Sequence, residues 1–535
     1  MSEVLVVGAG PTGLTLACEL WRHGTPCRII ERRGAPVDRS RAVDVQSRTL
    51  EVFARIGIVD QVLDSGRRLQ AMSVYDGMKH MSRLHYEADG APYPFLVALP
   101  QSDTERFLEQ RLEALGGHVE RGTRLKSLNV EAEYTNVELV GADGSTEQVQ
   151  VGWVAGCDGV ASTVRDEVGI EFEGKSAMRS FTTADATVDW HLPGDEVSLF
   201  VSDTGFLMAL PLRENNRVRL ISDGAPIKGR FGDAESLERM AAEHAGADLA
   251  LHDAGFVGTY FVQRRLARTF QHNRVLLVGD AAHTFDPVGG HGMNQGIQSA
   301  FNLGWKLSSV ANNRCNEALI ATYASERRDA AKRFSRDMDF AARLKLSQLD
   351  VDEDTHDRLM DFAVRATPLR RSVLDSSIQP RHVYSSSLFV REDVASGFDS
   401  RPGATAGCRA PDVQFGDGED QRLHRLLDGK RHTLLLFAGA NANNGLPLTR
   451  SLITIAETLH NRWTRSLTTY LIAARGTDTR AWNGNVVADS NGSLHDRYGA
   501  NLPCAYVVRP DDHIAYRSCP IDTSGLKSFV TRLFG

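Results

Sequence analysis

The sequence predicts an α/β chain of several domains, and three observations carry that reading. A short apolar run, Val4–Val7, passes through Gly8-x-Gly10-x-x-Gly13 into a helical pattern and then a second strand, "CRIIE". That is the order of a Rossmann-like dinucleotide-binding unit. Between residues 179 and 271, short runs alternate apolar and polar residues, with turn signals at Leu192-Pro193-Gly194 and Asn215-Asn216. They read as an inserted antiparallel sheet. Beyond residue 401 come a strand, a helix, a strand and a hairpin.

Composition narrows the class. A chain of 535 residues has room for about two to four domains. A net charge of −7 argues against nucleic acid or an anionic membrane as partner. No apolar run reaches the roughly 18 residues of a membrane span. The opening "MSEVLVVGAG" lacks the basic and long apolar regions of a signal peptide. Seven cysteines, odd in number and without a Cys-x-x-Cys, indicate neither a disulfide framework nor a metal site. The expected location is cytoplasmic.

In the first unit, Gly8 permits the tight turn and Gly10 lets a pyrophosphate reach the helix N-terminus, where free N–H groups favour anions. Gly13 lets helix pack on strand, and Leu14, Ala17, Leu20 and Trp21 recur at helical spacing. Glu31 ends the second strand 18 residues after Gly13, placed to accept both hydroxyls of an adenosine ribose. A second polar strand end follows residues 153–155: Cys157-Asp158-Gly159, with Ser162 and Arg165 opening a helix. Asp158 suits a ribose or ribityl hydroxyl, with Gly159 clearing space; the alternative is a plain turn with Ser162 as N-cap.

The third is "GDAAHTFDPVGGHGMNQG", residues 279–296, after the apolar run 275–278. Asp280 stands at this strand end as Glu31 and Asp158 do at theirs. Ligands of open parallel sheets lie at the carboxyl ends of strands. Three such ends along one sheet suit one long ligand, and FAD matches better than NAD. Pro287, Gly289, Gly290 and Gly292 would let backbone lie against the flavin. A helix starting near Met293 and Asn294 would aim its positive end at the flavin pyrimidine.

On these segments the chain resembles the class A flavoprotein aromatic hydroxylases, the single-component FAD and NAD(P)H monooxygenases. The resemblance rests on G-x-G-x-x-G, the Asp158-Gly159 pair, and Gly279-Asp280-Ala281-Ala282-His283 continuing through Pro287, Gly289-Gly290, Gly292 and Asn294 to Asn302-Leu303-Gly304-Trp305-Lys306-Leu307. "SRAVDVQSRTLEVFARIGIVD" (40–60), "PQSDTERFLEQRL" (100–112) and "TYASERR" (322–328) also match, and phenol, halophenol and polyketide hydroxylases look most similar. Two positions depart: Ser299 stands where the family usually has Asp, and His291 where Gln is common.

The resemblance implies a Rossmann-like FAD-binding domain with an inserted antiparallel-sheet substrate domain and a C-terminal thioredoxin-like domain. The expected boundaries are 1–70, 98–178 and 272–345 for FAD; 71–97 and 179–271 for the substrate sheet; 346–400 for a helical segment and linker; and 401–535 for a tail without Cys-x-x-Cys. It also implies FAD contacts from Pro11 and Thr12 at the pyrophosphate, and Arg32 near the adenosine. Arg41 and Gln101 would flank the pyrophosphate, ribityl chain and ring; Leu125 would touch adenine through its backbone, and Met293 and Asn294 would meet the pyrimidine edge.

The implied activity is hydroxylation of an activated phenolic or polycyclic aromatic through a flavin C4a-hydroperoxide, with NAD(P)H as transient co-substrate and O2 as oxidant, in a monomer or homodimer. The absence of a second G-x-G-x-x-G argues against a separate nicotinamide domain, and the absence of W-x-W argues against a halogenase. An FAD enzyme that inserts no oxygen, or a silent FAD-binding protein, are the alternatives. Phe200, Phe206, Met208 and Leu210 are candidate pocket or core residues. His283, Asp286 and His291 on the flavin loop are the candidate catalytic residues, each with a structural role as the alternative reading; Tyr384 is weaker. No tyrosine or histidine of the sheet domain, apart from His191, His244, His252 and Tyr260, offers an obvious base. The expectation is therefore an acidified phenol, ionised with help from the helix end near Met293.

Overall fold

A computed structural model describes residues 3–37, 42–86, 91–189, 192–202, 205–214, 216–222, 234–245, 251–253, 257–285, 290–343, 383–394, 404–416, 421–440 and 450–535. The chain forms two units: residues 1–21, 26–300 and 331–380, and residues 22–25, 301–330 and 381–535. Residues 301–330, expected with the FAD-binding domain, thus group with the tail. The expected helical segment 346–400 lies mostly outside the described residues; within it Arg391–Val394 is a strand.

In the first unit, six strands run in the order Gln271–His272, Val275–Leu277, Trp153–Gly156, Val4–Val7, Cys27–Glu31, Val119–Arg121. All pairs are parallel except the first. Val4, Leu5 and Val6 are fully buried, as an apolar strand covered on both faces should be. The helix Pro11–Arg22 begins with proline at its first position, where no N–H is needed. Gly13 sits so close to the Gly8 carbonyl that a Cβ there would collide with it. Gly8 itself holds φ +102°, a conformation that favours glycine.

A larger sheet joins His283–Thr284, Val257–Ala267, Phe172–Val188, Arg217–Ser222, Gly205–Pro211, Glu196–Ser202, Ala71–Asp76 and Lys79–His85, with Leu251–His252 paired to Phe172–Val188. Only Glu196–Ser202 against Ala71–Asp76 is parallel. Period-two alternation gives it two apolar faces. One packs Phe200, Leu207, Ala209 and Leu220 with Ala241 and Ala245 of the helix Ala234–Ala245. The other packs Val197, Met208 and Leu210 with Val43, Leu69, Leu96 and Ala98, and carries the partly exposed Met72, Leu199, Phe206 and Ile221. Leu69, Leu96 and Ala98 belong to a small sheet of Asp44–Val45, Leu96–Ala98 and Arg67–Leu69. The four sequence candidates therefore divide: Phe200 faces the helix, while Phe206, Met208 and Leu210 face the small sheet.

In the second unit, six strands run Arg391–Val394, Ile514–Cys519, Cys504–Val508, His432–Phe437, Leu467–Ala474, Asn485–Asp489. The helices Arg450–Trp463 and Thr523–Phe534 supply Leu452, Ile455, Leu459, Leu526, Phe529 and Leu533 to one core, which also holds Trp305 and Leu319. Cys504 and Cys519 are free thiols buried in the other core.

Four charges are buried together in this unit. Lys306 Nζ donates to Glu326 Oε2 at 2.7 Å and to Asn302 Oδ1 at 2.9 Å. Arg509 donates to both Glu326 oxygens, at 2.7 and 3.1 Å, and pairs with Asp511. Ser387 donates to Glu326 Oε1 at 2.6 Å, and Asn302 to Asp511 at 3.1 Å. Burial pushes the Glu326 carboxyl up, but Arg509 and Lys306 outweigh it and hold it at about 2. Burial draws the Lys306 ammonium down to about 8 against the pull of Glu326. Arg509→Met would leave Glu326 and Asp511 buried beside a single cation. A loss of about 3–5 kcal/mol is expected for this unit, measured as the shift of its urea unfolding transition.

Candidate active site

The parallel sheet gathers the polar strand ends. Val275–Leu277, Trp153–Gly156, Val4–Val7 and Cys27–Glu31 are consecutive and parallel, so the segments after them share one edge. Beyond the strands, Gly8 N–H donates to Ile30 O at 2.8 Å, Cys157 N–H to Val7 O at 2.8 Å, and Val278 N–H to Gly156 O at 2.9 Å. A Cβ at Gly8 would meet Cys157 O at 2.5 Å; a Cβ at Gly279 would meet Thr12 Oγ1 at 2.7 Å, and one at Gly296 would collide with the same hydroxyl. Thr12 is thus clasped by two glycines of the third motif.

Glu31 Oε2 accepts the Ala9 N–H and Oε1 the Arg33 N–H, both at 3.0 Å. The carboxylate is therefore fixed beside the glycine turn. Arg32 is exposed next to it. Thr123 N–H donates to Glu31 O at 3.1 Å, which brings the strand Arg124–Val130, with buried Leu125, to the same end of the sheet. Asp158 accepts the Ser162 hydroxyl at 2.6 Å and the Val164 N–H at 3.1 Å, while Ser162 caps Thr163–Glu167 through the Arg165 N–H. Burial raises the Asp158 carboxyl, and those donors pull it back.

Asp280 lies in a short 3-10 turn, Gly279–Ala281, past the strand that ends at Leu277. Its carboxylate comes to 4.0 Å from where a Gly292 Cβ would stand, at the start of the helix His291–Ala311. That helix begins two residues before Met293, directly after Gly290 at φ +63°. Around Gly10 and Gly159, a Cβ would meet nothing within 4 Å. Open space at these two glycines, against crowding at Gly8 and Gly13, is the cradle that a pyrophosphate and its ribitol chain require. The residues present fit FAD.

Asn294 is fully buried and occupied by protein: Nδ2 donates to Asp44 O (3.0 Å) and Gly290 O (2.9 Å), and Oδ1 accepts the Gln46 N–H (3.0 Å). Its side chain pins residues 44–46 to the helix start. The groups left to face a ligand there are backbone N–H of the first turn. Gln101 opens the helix Gln101–Ala114; its Oε1 faces the Ala42 N–H at 3.3 Å and its Nε2 donates to Glu105 at 2.8 Å. Arg41, Asp286, Pro287 and Gly289 lie outside the described residues.

His283 and His291 are 1% and 2% exposed. Ser299 donates to Gln295 O at 2.8 Å, and its oxygen lies 3.3 Å from His283 Nε2. Gln46 Nε2 donates to His291 Nδ1 at 2.9 Å, and burial holds His291 down to about 3, so it is neutral. The rings of Phe270, His283, Phe285, Phe334 and His291 follow one another at centroid separations of 5.7, 5.0, 4.9 and 4.5 Å. Both histidine rings are thus packed among aromatic rings. Tyr384 is buried in the second unit, where Arg327 donates to its hydroxyl at 3.1 Å. His244 bonds Ser202 from the helix on the opposite face of the large sheet, and His252 is exposed. His191 and the Tyr260 side chain lie outside the described residues.

Sequence reasoning missed Asp44, Gln46 and Tyr86. Asp44 is 7% exposed between buried Val43 and Val45, and burial pushes its carboxyl up to about 7 while the Gln46 side chain pulls it back. An acid between two valines at the head of "RTLE" was the available signal.

Strand ends of this geometry define an FAD-binding α/β flavoprotein. A family model described as "FAD binding domain" matches residues 1–337. The chain is 30% identical to 6-methylpretetramide 4-monooxygenase of Streptomyces rimosus, across 99% of this chain and 93% of that protein. It is 28% identical to pentachlorophenol 4-monooxygenase of Sphingobium chlorophenolicum, across 97% and 94%. It superposes on the solved structure of OxyS anhydrotetracycline hydroxylase from Streptomyces rimosus with a TM-score of 0.73 and 28% identity, covering 100% of this chain and 99% of that one. The chain belongs to the FAD-dependent aromatic monooxygenases.

Two substitutions separate folding from cofactor binding. Gly13→Ala drives a methyl group into the Gly8 carbonyl and is expected to cost about 1–3 kcal/mol of stability, whereas Gly10→Ala leaves the unfolding midpoint unchanged and weakens FAD. Thermal unfolding of the apoprotein and FAD titration measure the two effects. Glu31→Ala is expected to weaken FAD by roughly 1.5–3 kcal/mol, the range for a hydrogen bond to a charged group, read from the dissociation constant by flavin fluorescence.

Proposed function

We propose that this enzyme hydroxylates a phenolic or polycyclic phenolic substrate, with FAD held along the shared strand edge and NAD(P)H as transient reductant. The observation that carries the reading is the meeting of that edge with an apolar sheet face. Met72, Leu199, Phe206 and Ile221 remain partly exposed on the face whose other side chains pack over Val43 and Ala98. An aromatic ring held there would stand beside the residues 44–46 that Asn294 ties to the helix start. Relatives named for 6-methylpretetramide and pentachlorophenol support the substrate class.

When bound, the flavin supplies the oxidising chemistry. The chain binds, orients and screens. The Gly8–Gly13 turn and Glu31 hold the adenosine diphosphate end, with Pro11, Thr12, Arg32 and Leu125 around it. Asp158, Gly159 and Asp280 take the ribitol, with Arg41 and Gln101 flanking. The helix His291–Ala311 would direct its positive end, through Gly292 and Met293, at the flavin pyrimidine. The assigned loop contacts of Pro287, Gly289 and Gly290 complete the cradle. We read His283 and His291, both buried among aromatic rings, as packing. We read the domains with the boundaries given above, except that residues 301–330 go with the tail, and the tail as thioredoxin-like, without a Cys-x-x-Cys and without dithiol chemistry. The protein is cytoplasmic, a monomer or homodimer, and needs no nucleic acid or membrane.

Purified protein loaded with FAD should oxidise NAD(P)H faster in the presence of a phenol it accepts, and under 18O2 should place one labelled atom in the product. Stimulated oxidation without label in any product would show that oxygen is not inserted. The methyl ether of the same phenol should bind and not be hydroxylated, because only the phenolate feeds electron density to the ortho and para carbons. Equal rates for ether and phenol would remove the phenolate from the reaction.

A further inference from the structure

Asp44 stands at a seam. Its strand Asp44–Val45 pairs with Leu96–Ala98, and its backbone oxygen and the next residues are tied to Asn294. Its carboxylate lies against Gly290, where any Cβ would collide with it. The acid thus touches the backbone that leads into the helix His291–Ala311. On the other side stands Tyr86, just past the strand Lys79–His85 and 2% exposed, within the apolar cluster of Val43, Leu84, Met208 and Leu210. The Tyr86 hydroxyl is buried with no hydrogen-bond partner among the described residues. Burial, and then the charge of Asp44, oppose its ionisation. An unmatched buried hydroxyl costs about 1–3 kcal/mol. One beside a buried acid, at the edge of an apolar face, is a group waiting for a polar ligand atom.

We propose that Asp44 is the base that takes the proton of the phenolic substrate and that the Tyr86 hydroxyl orients the substrate oxygen. This rests on the hydroxylase reading above. The phenol O–H bond breaks, its proton passes to an Asp44 oxygen, and the electron pair remains on the phenolate and spreads into the ring. The same proton then serves the water released when the second atom of O2 departs. Among the described residues, the titratable groups facing Asp44 are Tyr86 and, through Gln46, His291, which is neutral. A carboxyl held up to about 7 gains its basic form as pH rises through that value, the match a general base needs near neutrality.

The test uses FAD-loaded protein, with 4-hydroxyacetophenone as the phenol and 4-methoxyacetophenone as the binding control. With NAD(P)H and O2 saturating, the wild-type hydroxylation rate should rise with pH through about 7, where the Asp44 carboxylate forms. Asp44→Asn should bind FAD and both compounds, lower the rate about 100-fold or more and lose that rising limb. Gln46→Met removes the amide that favours the carboxylate and should move the limb up by about one pH unit; a packing role for Asp44 would not move it. Tyr86→Phe should weaken the phenol several-fold and leave the methyl ether unaffected. A limb unchanged in both Asp44→Asn and Gln46→Met overturns the assignment while the hydroxylase reading stands. If wild-type protein neither binds phenols nor oxidises NAD(P)H in response to them, the hydroxylase reading falls and the base falls with it.

Discussion

Everything at the cofactor edge depends on how closely backbone can approach backbone. The helix Pro11–Arg22 packs onto its strand only because Gly13 presents no side chain to the Gly8 carbonyl. Thr12, one residue away, fits between Gly279 and Gly296 for the same reason. Two motifs far apart in sequence are therefore interlocked by missing side chains. With them in contact, four parallel strands end together, and Glu31, Asp158 and Asp280 line one edge. A methyl group at any of these glycines would separate the elements before it touched a ligand.

Charge is placed sparingly around the start of the helix His291–Ala311. His291 is neutral through burial. Ser299 gives His283 a hydroxyl where a carboxylate would have favoured the imidazolium. Positive potential there comes from the helix end, which neither titrates nor needs a counter-ion. Against this background Asp44 is conspicuous. Burial outweighs the donor beside it, so its carboxyl changes state in the range where an enzyme works.

The second unit explains motif residues that the cofactor does not use. Asn302, Lys306 and Glu326 lie in segments that resemble the family, yet they meet Arg509 and Asp511 in a buried cluster of two cations and two anions. They bond residues 301–330 to the tail within the same unit. Buried charge of this kind is specific rather than strongly stabilising, since any partner removed leaves the rest exposed to a low dielectric.

Local signals in the sequence carried far. Glycine spacing, strand-end acids and period-two alternation announce the cofactor edge, the large sheet and the order of strands and helix in the tail, because each depends on residues within a few positions of one another. The sequence by itself thus determined the family and the cofactor, and placed three acids at strand ends. Tertiary structure alone decided which candidates face what. Phe200 looks like Phe206 in the sequence, but the alternation of a strand turns one to the helix and the other to the small sheet. His283 and His291 look like catalytic histidines, but packing of rings removes both from solvent. Asp44 is buried because Gly290 and Asn294, about 250 residues later, close over it. Burial is a property of the whole chain's packing, so the pKa values that decide acid–base roles have no local signature.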